Sequence, residues 1–190
     1  MANLDLLCLP DSGASATVYS GWRRSLPAWL DVVPIALPDR AERLCEPLAT
    51  DLRVLARQLT LVILGRTNGP YALFGHGLGA LLAYELAVAL REAGAPCPAA
   101  LIAAGTAAPS RCCEAAPGAL LDCPLHVLGG VDDKATQEEL LGWQLHTSVS
   151  FSLDMLAGGH AFLHEHEPKV LRILRRHLEV DLRRLALAAA

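Results

Sequence analysis

The sequence predicts an α/β fold, a mostly parallel central sheet flanked by helices. Two observations carry that prediction. Short apolar runs of strand length alternate along the chain with longer segments of helical periodicity, the order expected of a parallel sheet covered on both faces. Hydrophobic residues make up 53% of the 190 residues and charged residues only 19%, which is enough apolar surface for one core spanning 1–190 and too much for intrinsic disorder.

Leu4 to Leu9 is an apolar run closed by Pro10 and reads as a buried strand. Val32 to Leu37 is a second candidate strand, for which Pro34 argues an edge or irregular position because proline cannot donate to a central ladder. From Leu48 to Leu64, apolar residues fall at Leu52, Leu55, Ala56, Leu59 and Ile63 after a Thr50-Asp51 start signal, predicting an amphipathic helix. Tyr71 to Phe74 is a strand that runs through a glycine-rich turn into a helix from Ala80 to Glu92, stopped by Gly94. Ala99 to Ala104 and Leu125 to Leu128 are further strands, Gln137 to Trp143 a short helix, and Phe151 to Leu156 a last strand. The stretch 168–190 carries Leu171, Leu174, Leu178, Leu182 and Leu185 at helical spacing, with arginines on the other face, and predicts a C-terminal helix.

Several functions are excluded at this level. Acidic residues outnumber Lys and Arg by 20 to 16 with no dense basic run, which argues against nucleic acid as a partner. Every apolar stretch is interrupted well before the ~20 residues of a bilayer span, so no membrane partner is expected. The first ten residues lack the basic segment of a secretory signal, and a cytoplasmic location follows as an expectation. The six cysteines show no C-x-x-C spacing and read as small hydrophobes and loop thiols, with Cys8 buried and inert.

The informative segment is Phe74-Gly75-His76-Gly77-Leu78-Gly79-Ala80, a strand, then G-x-G-x-G, then a helix. This is the pattern of a nucleophile elbow, in which the central residue sits on a strained turn. Around it, Leu9-Pro10-Asp11-Ser12-Gly13-Ala14-Ser15, Leu37-Pro38-Asp39-Arg40, Thr50-Asp51, Gly129-Gly130-Val131-Asp132 and Gly158-Gly159-His160-Ala161-Phe162-Leu163 recur in a matching order. Together these segments resemble the type II thioesterases of polyketide and nonribosomal peptide synthesis, within the α/β-hydrolase fold. The resemblance implies Asp132 as the acidic triad member, His160 as the catalytic histidine, and an oxyanion hole near Ser12 and Leu78. It also exposes two departures. Gly77 stands where the family carries its serine, and the short stretch from Arg111 to Leu121 leaves no room for the helical lid, so a deleted lid is expected.

A vacant nucleophile position beside a His160/Asp132 dyad and two backbone N–H donors suits proton transfer through an enolate: cyclisation, elimination, isomerisation or epimerisation. The alternatives are a non-catalytic binding module for a carrier protein or synthase, and slow thioester editing by water that His160 activates. Asp11, Asp39 and His76 are candidate substrate-binding residues near the mouth of the site; the alternatives are exposed loop carboxylates or further acid/base groups for Asp11 and Asp39, and a packing residue for His76. Asp133 adjoins Asp132 and is the alternative partner of the histidine, but the G-G-x-D spacing favours Asp132, and Asp133 reads as a solvated loop carboxylate. Ser12 and Ser15, the nearest hydroxyls that could replace the lost nucleophile, read instead as bonding the loop backbone. His160, His164 and His166 form an H-x-x-x-H-x-H cluster that fits no standard zinc pattern, so no metal and no cofactor is expected. His126 and His177 read as incidental. The implied substrate is a polyketide-like small molecule, free or bound to a carrier protein. A homodimer is a further option, through the surface left by the absent lid.

Overall fold

A computed structural model describes residues 3–37, 48–65, 69–112 and 120–188. Six strands, β1 (Leu4–Leu9), β2 (Leu30–Pro34), β3 (Tyr71–His76), β4 (Leu101–Ala104), β5 (Leu125–Gly130) and β6 (Phe151–Leu156), form one parallel sheet in the order β2-β1-β3-β4-β5-β6. Pro34 indeed lies at the end of an edge strand. Helices α1 (Leu48–Leu64), α2 (Leu78–Glu92), α3 (Pro109–Cys112), α4 (Gln137–Leu141), α5 (Phe162–Glu165) and α6 (Glu167–Ala188) complete the described secondary structure, with short 3₁₀ turns at Ala16–Tyr19, Trp22–Arg24 and Gly142–His146. This is the α/β-hydrolase architecture that the sequence implied.

The alternation of side chains along each strand divides the core into two layers. Leu7, Leu9, Leu73 and Val127 point to the side covered by α1 and α2, where they meet Ala56, Ile63, Leu82, Leu86 and Trp143. Leu4, Leu6, Cys8, Phe74 and Ile102 point to the opposite side, where they meet Trp22, Phe162, Val170, Leu174 and Leu178. Cys8 is fully buried, as expected. No helix among the described residues is long and apolar enough to cross a membrane.

Strand order decides where a site forms. From β1 the chain steps outward to β2, then returns to the other side of β1 for β3 and continues through β6. The ends of β1 and β3 therefore border the point where the order reverses, the usual crevice of an open α/β sheet. Asp11 follows β1, Gly77 follows β3, Asp133 follows β5 and His160 follows β6, so four chain-distant loops meet at one end of the sheet.

His126 is not incidental. It is buried, with Nδ1 2.7 Å from the Ser152 hydroxyl and Nε2 2.8 Å from the Asp181 carboxylate, and its ring stacks on His177 at 4.0 Å. His177 in turn bonds Asp154 at 2.7 Å. These pairs satisfy polar groups between the sheet and α6. The expected deleted lid, between Arg111 and Leu121, lies largely outside the described residues, as does Asp39.

Candidate active site

Gly77 caps α2 with φ 52° and ψ −121°, a conformation open to glycine at little cost and strained for other residues. Its N–H donates to the Ala104 carbonyl at 2.8 Å, which ties the elbow to β4. A Cβ added to Gly77 would collide with the Asp11 carboxylate, whose Oδ2 would lie 2.8 Å away. The position opposite the histidine is therefore filled. This corrects the expectation of a vacancy, and with it the alternative reading of Asp11 as an exposed loop carboxylate.

The same carboxylate occupies the expected oxyanion hole. Asp11 Oδ1 accepts the N–H of Leu78 at 2.8 Å and the N–H of Ser12 at 2.7 Å. The two expected donors converge on a side chain of the protein itself. Ser15 accepts the Thr17 N–H at 3.3 Å and caps the first 3₁₀ turn, in line with the backbone-bonding role expected of it.

His160 lies between two carboxylates. Its Nδ1 is 3.1 Å from Asp133 Oδ2 and its Nε2 is 3.1 Å from Asp11 Oδ2. Asp133 is therefore the acidic partner, in place of Asp132. The turn after β5 explains the one-residue difference. The Asp132 N–H is drawn to the Gly158 carbonyl at 3.0 Å and its side chain is exposed, whereas the Asp133 N–H turns back to Gly130 at 3.3 Å. The Asp133 side chain is only 3% exposed, so it is not a solvated loop carboxylate.

Electrostatics follow from this geometry. Partial burial opposes a charge on His160, but hydrogen bonds to Asp11 and Asp133 outweigh it and raise its pKa above 6.5. Burial likewise opposes the charge on Asp11. The Leu78 N–H, His160 and the Ser12 N–H together outweigh burial and hold its pKa below 3.8. Both shifts favour the charged forms, so in the Asp11–His160 pair the proton is drawn to the ring and the carboxylate accepts. His76 behaves oppositely. Burial, then the charge of His160, pushes its pKa down to about 4, so it is neutral. Its ring stacks on His160 at 4.5 Å, the His160 carbonyl accepts a hydrogen bond from it, and its buried Nε2 has no partner.

Asp11, His76 and His160 each present a ligand atom within 4.8 Å of the others, and theirs is the one such group among the described residues. His160 and Asp11 are already joined by a hydrogen bond, which gives the pairing a proton as its occupant. His164 and His166 do not join this group.

Asp133→Asn is expected to lower the His160 pKa, because a neutral amide no longer favours the charged ring. Asp132→Asn is expected to leave it in place. Titration of the His160 ring by NMR in both variants checks the assignment.

The thioesterase domain family model matches residues 5–123, more than half of the chain. The chain belongs to the thioesterase family. The linear gramicidin dehydrogenase LgrE of Brevibacillus parabrevis is 30% identical to this thioesterase-family chain over 223 positions, covering 88% of the chain and 85% of LgrE. Among solved structures, RedJ, a thioesterase of the prodiginine pathway of Streptomyces coelicolor, superposes with a TM-score of 0.81 at 30% identity, covering 93% of this chain and 86% of RedJ. The type II thioesterase BorB of the borrelidin cluster also gives 0.81, at 35% identity over 93% of this chain and 92% of BorB.

Proposed function

We propose that this thioesterase-family protein is a non-hydrolytic acid/base tailoring catalyst of polyketide or related secondary-metabolite biosynthesis. It acts on a polyketide-like substrate, free or held by a carrier protein, and promotes cyclisation, elimination or isomerisation through an enolate. The observation that carries this reading is His160 clamped between Asp11 and Asp133, with Asp11 in the place of an elbow side chain. Gly77 supplies no hydroxyl, so no acyl-enzyme forms at the elbow. RedJ and BorB come from biosynthetic clusters of this kind, which supports the pathway context.

In this mechanism the protonated His160 Nε2 donates to a substrate oxygen as it gains negative charge, and Asp11 Oδ2 accepts a proton from the neighbouring carbon. Asp133 holds the ring in orientation and stabilises its charge. The Leu78 and Ser12 amides keep Asp11 ionised and fixed. Water activation by His160 is disfavoured, because both of its nitrogens are already engaged by carboxylates. Lid loss would open the site to a bulky substrate. The aligned span of 223 positions with LgrE exceeds the 190 residues here, so that relative has segments with no counterpart in this chain.

A second reading rests on the same carboxylate. Asp11 fills the amide cradle as a bound anion would, which suits a module that binds a carrier protein or synthase without catalysis.

Exchange of the α-protons of a simple β-ketoacyl thioester in D₂O separates the two readings. The catalyst exchanges them without releasing thiol, and the binding module does not. The rate is expected to be bell-shaped in pH. It falls on the alkaline side as His160 deprotonates above 6.5, and on the acid side as Asp11 protonates below 3.8. Asp11→Asn should remove the exchange activity, since it takes away the group that accepts the carbon's proton, and NMR titration of the ring should show the His160 pKa lowered, since one of its two carboxylate partners is gone.

A further inference from the structure

At the opposite end of the sheet from His160, two thiols meet. Cys97 lies in the loop between α2 and β4, and Cys123 stands two residues before β5. Leu101 and Leu125 are register partners, and the Leu101 N–H donates to the Pro124 carbonyl at 2.9 Å, so pairing of β4 with β5 brings the two segments together. Cys97 is exposed, Cys123 is buried, and neither is in a disulfide. The two residues face the same small space, a cavity they line with Arg91, Pro96, Pro98 and Asp122.

We propose that Cys97 and Cys123 form an oxidative modification site for hydrogen peroxide, with Cys97 oxidised first and Cys123 closing the disulfide. The geometry assigns the order, because only Cys97 faces solvent while Cys123 waits behind it. Cys97 is open to solvent, so a small oxidant reaches its sulfur directly, and the cavity behind it leads to Cys123. The polar setting supports the same order. The neighbouring Cys123 thiol lowers the Cys97 pKa below 9.0 against partial burial, and Arg184 and Arg91 add positive potential. Cys123 is raised by its neighbour Cys97 and by burial.

In the first step the Cys97 thiolate attacks one peroxide oxygen. The S–O bond forms, the O–O bond breaks, and the leaving hydroxide takes a proton to become water. In the second step Cys123 sulfur attacks the sulfenic sulfur. The S–S bond forms, the S–O bond breaks, and the departing hydroxyl takes the Cys123 proton as a second water. The two thiols lose two electrons and the peroxide gains them. The product ties the loop after α2 to the start of β5 and closes residues 97–123 into a ring.

The test is peptide mapping of the full-length protein after treatment with one equivalent of hydrogen peroxide. A cross-linked peptide pair carrying Cys97 and Cys123, absent after thiol reduction, is expected, together with a higher thermal midpoint than that of the reduced protein. In Cys123→Ala, dimedone should trap a sulfenic acid at Cys97, and in Cys97→Ser no adduct should form at Cys123. A protein in which Cys97 and Cys123 both remain alkylatable, or in which only other cysteines cross-link, overturns the proposal. The wild-type map decides this even if the buried Cys123 variant does not fold. The readout is independent of α-proton exchange, so its failure leaves the proposed activity standing.

Discussion

His160→Ala is expected to lower the rate of α-proton exchange by ~10²- to 10⁴-fold, the range that a positioned acid or base contributes. The size follows from the absence of a substitute. Among the described residues around Asp11, His76 is the other imidazole, and it is neutral, buried and pinned by the His160 carbonyl. It therefore does not act as an acid near pH 7. The fold should survive, because the His160 side chain is 48% exposed and its removal leaves no buried cavity of consequence. Circular dichroism and a thermal melt close to wild type, beside a lost exchange activity, would establish the catalytic reading. An unchanged exchange rate in a folded variant would leave the binding module as the function.

The largest effect on stability is expected at the elbow. A Cβ on Gly79 would strike the backbone carbonyls of Leu9 and Pro10 at the end of β1, with the Leu9 carbonyl carbon at 2.8 Å. These are main-chain atoms of the segment that carries Asp11 into the site, and they move only if β1 moves. A Cβ on Gly75 would overlap the Gly79 carbonyl and the Ala80 Cα, forcing β3 and α2 apart. Each strand and helix involved lies in the central core, so Gly79→Ala or Gly75→Ala should cost about 4 kcal/mol or more, at the severe end for single substitutions. That is a large share of the ~5–15 kcal/mol by which domains are stable. Gly21→Ala is the control: its φ of −68° is ordinary and a Cβ there meets nothing within 4 Å. Urea unfolding should place Gly21→Ala near wild type, while the elbow variants lose their transition or express insoluble. Near-wild-type stability in either elbow variant would contradict the close approach of β1, β3 and α2.

Where sequence and structure differ, glycine and side-chain direction account for most of it. Helix α2 was expected from Ala80 and begins at Leu78, because Gly77 and Gly79 read locally as breakers while the strained turn and close packing demand them. Strand β5 was expected to stop at Leu128 and continues through Gly129 and Gly130, held there by pairing with Met155 and Leu156 of β6. Strand β2 runs from Leu30 to Pro34, two residues ahead of expectation at its start, since Leu30 pairs with Leu4. The G-G-x-D spacing named Asp132, yet the turn after β5 aims Asp133 inward. A carboxylate one residue away is the nearest signal that was available, and neighbouring acids of this kind cannot be ordered by spacing.

The order of strands and helices, the elbow at Gly77, His160 and the two amide donors were legible in the chain alone, because hydrophobic periodicity and local turn chemistry are properties of neighbouring residues. What fills the elbow was decided by tertiary structure. The contact between Asp11 and His160 joins residues 149 apart in sequence, and a carboxylate at the end of β1 reaches the amides of α2 only because the parallel sheet sets β1 beside β3. No local pattern encodes that meeting, since it depends on where four strand ends converge and which way each side chain leaves its loop.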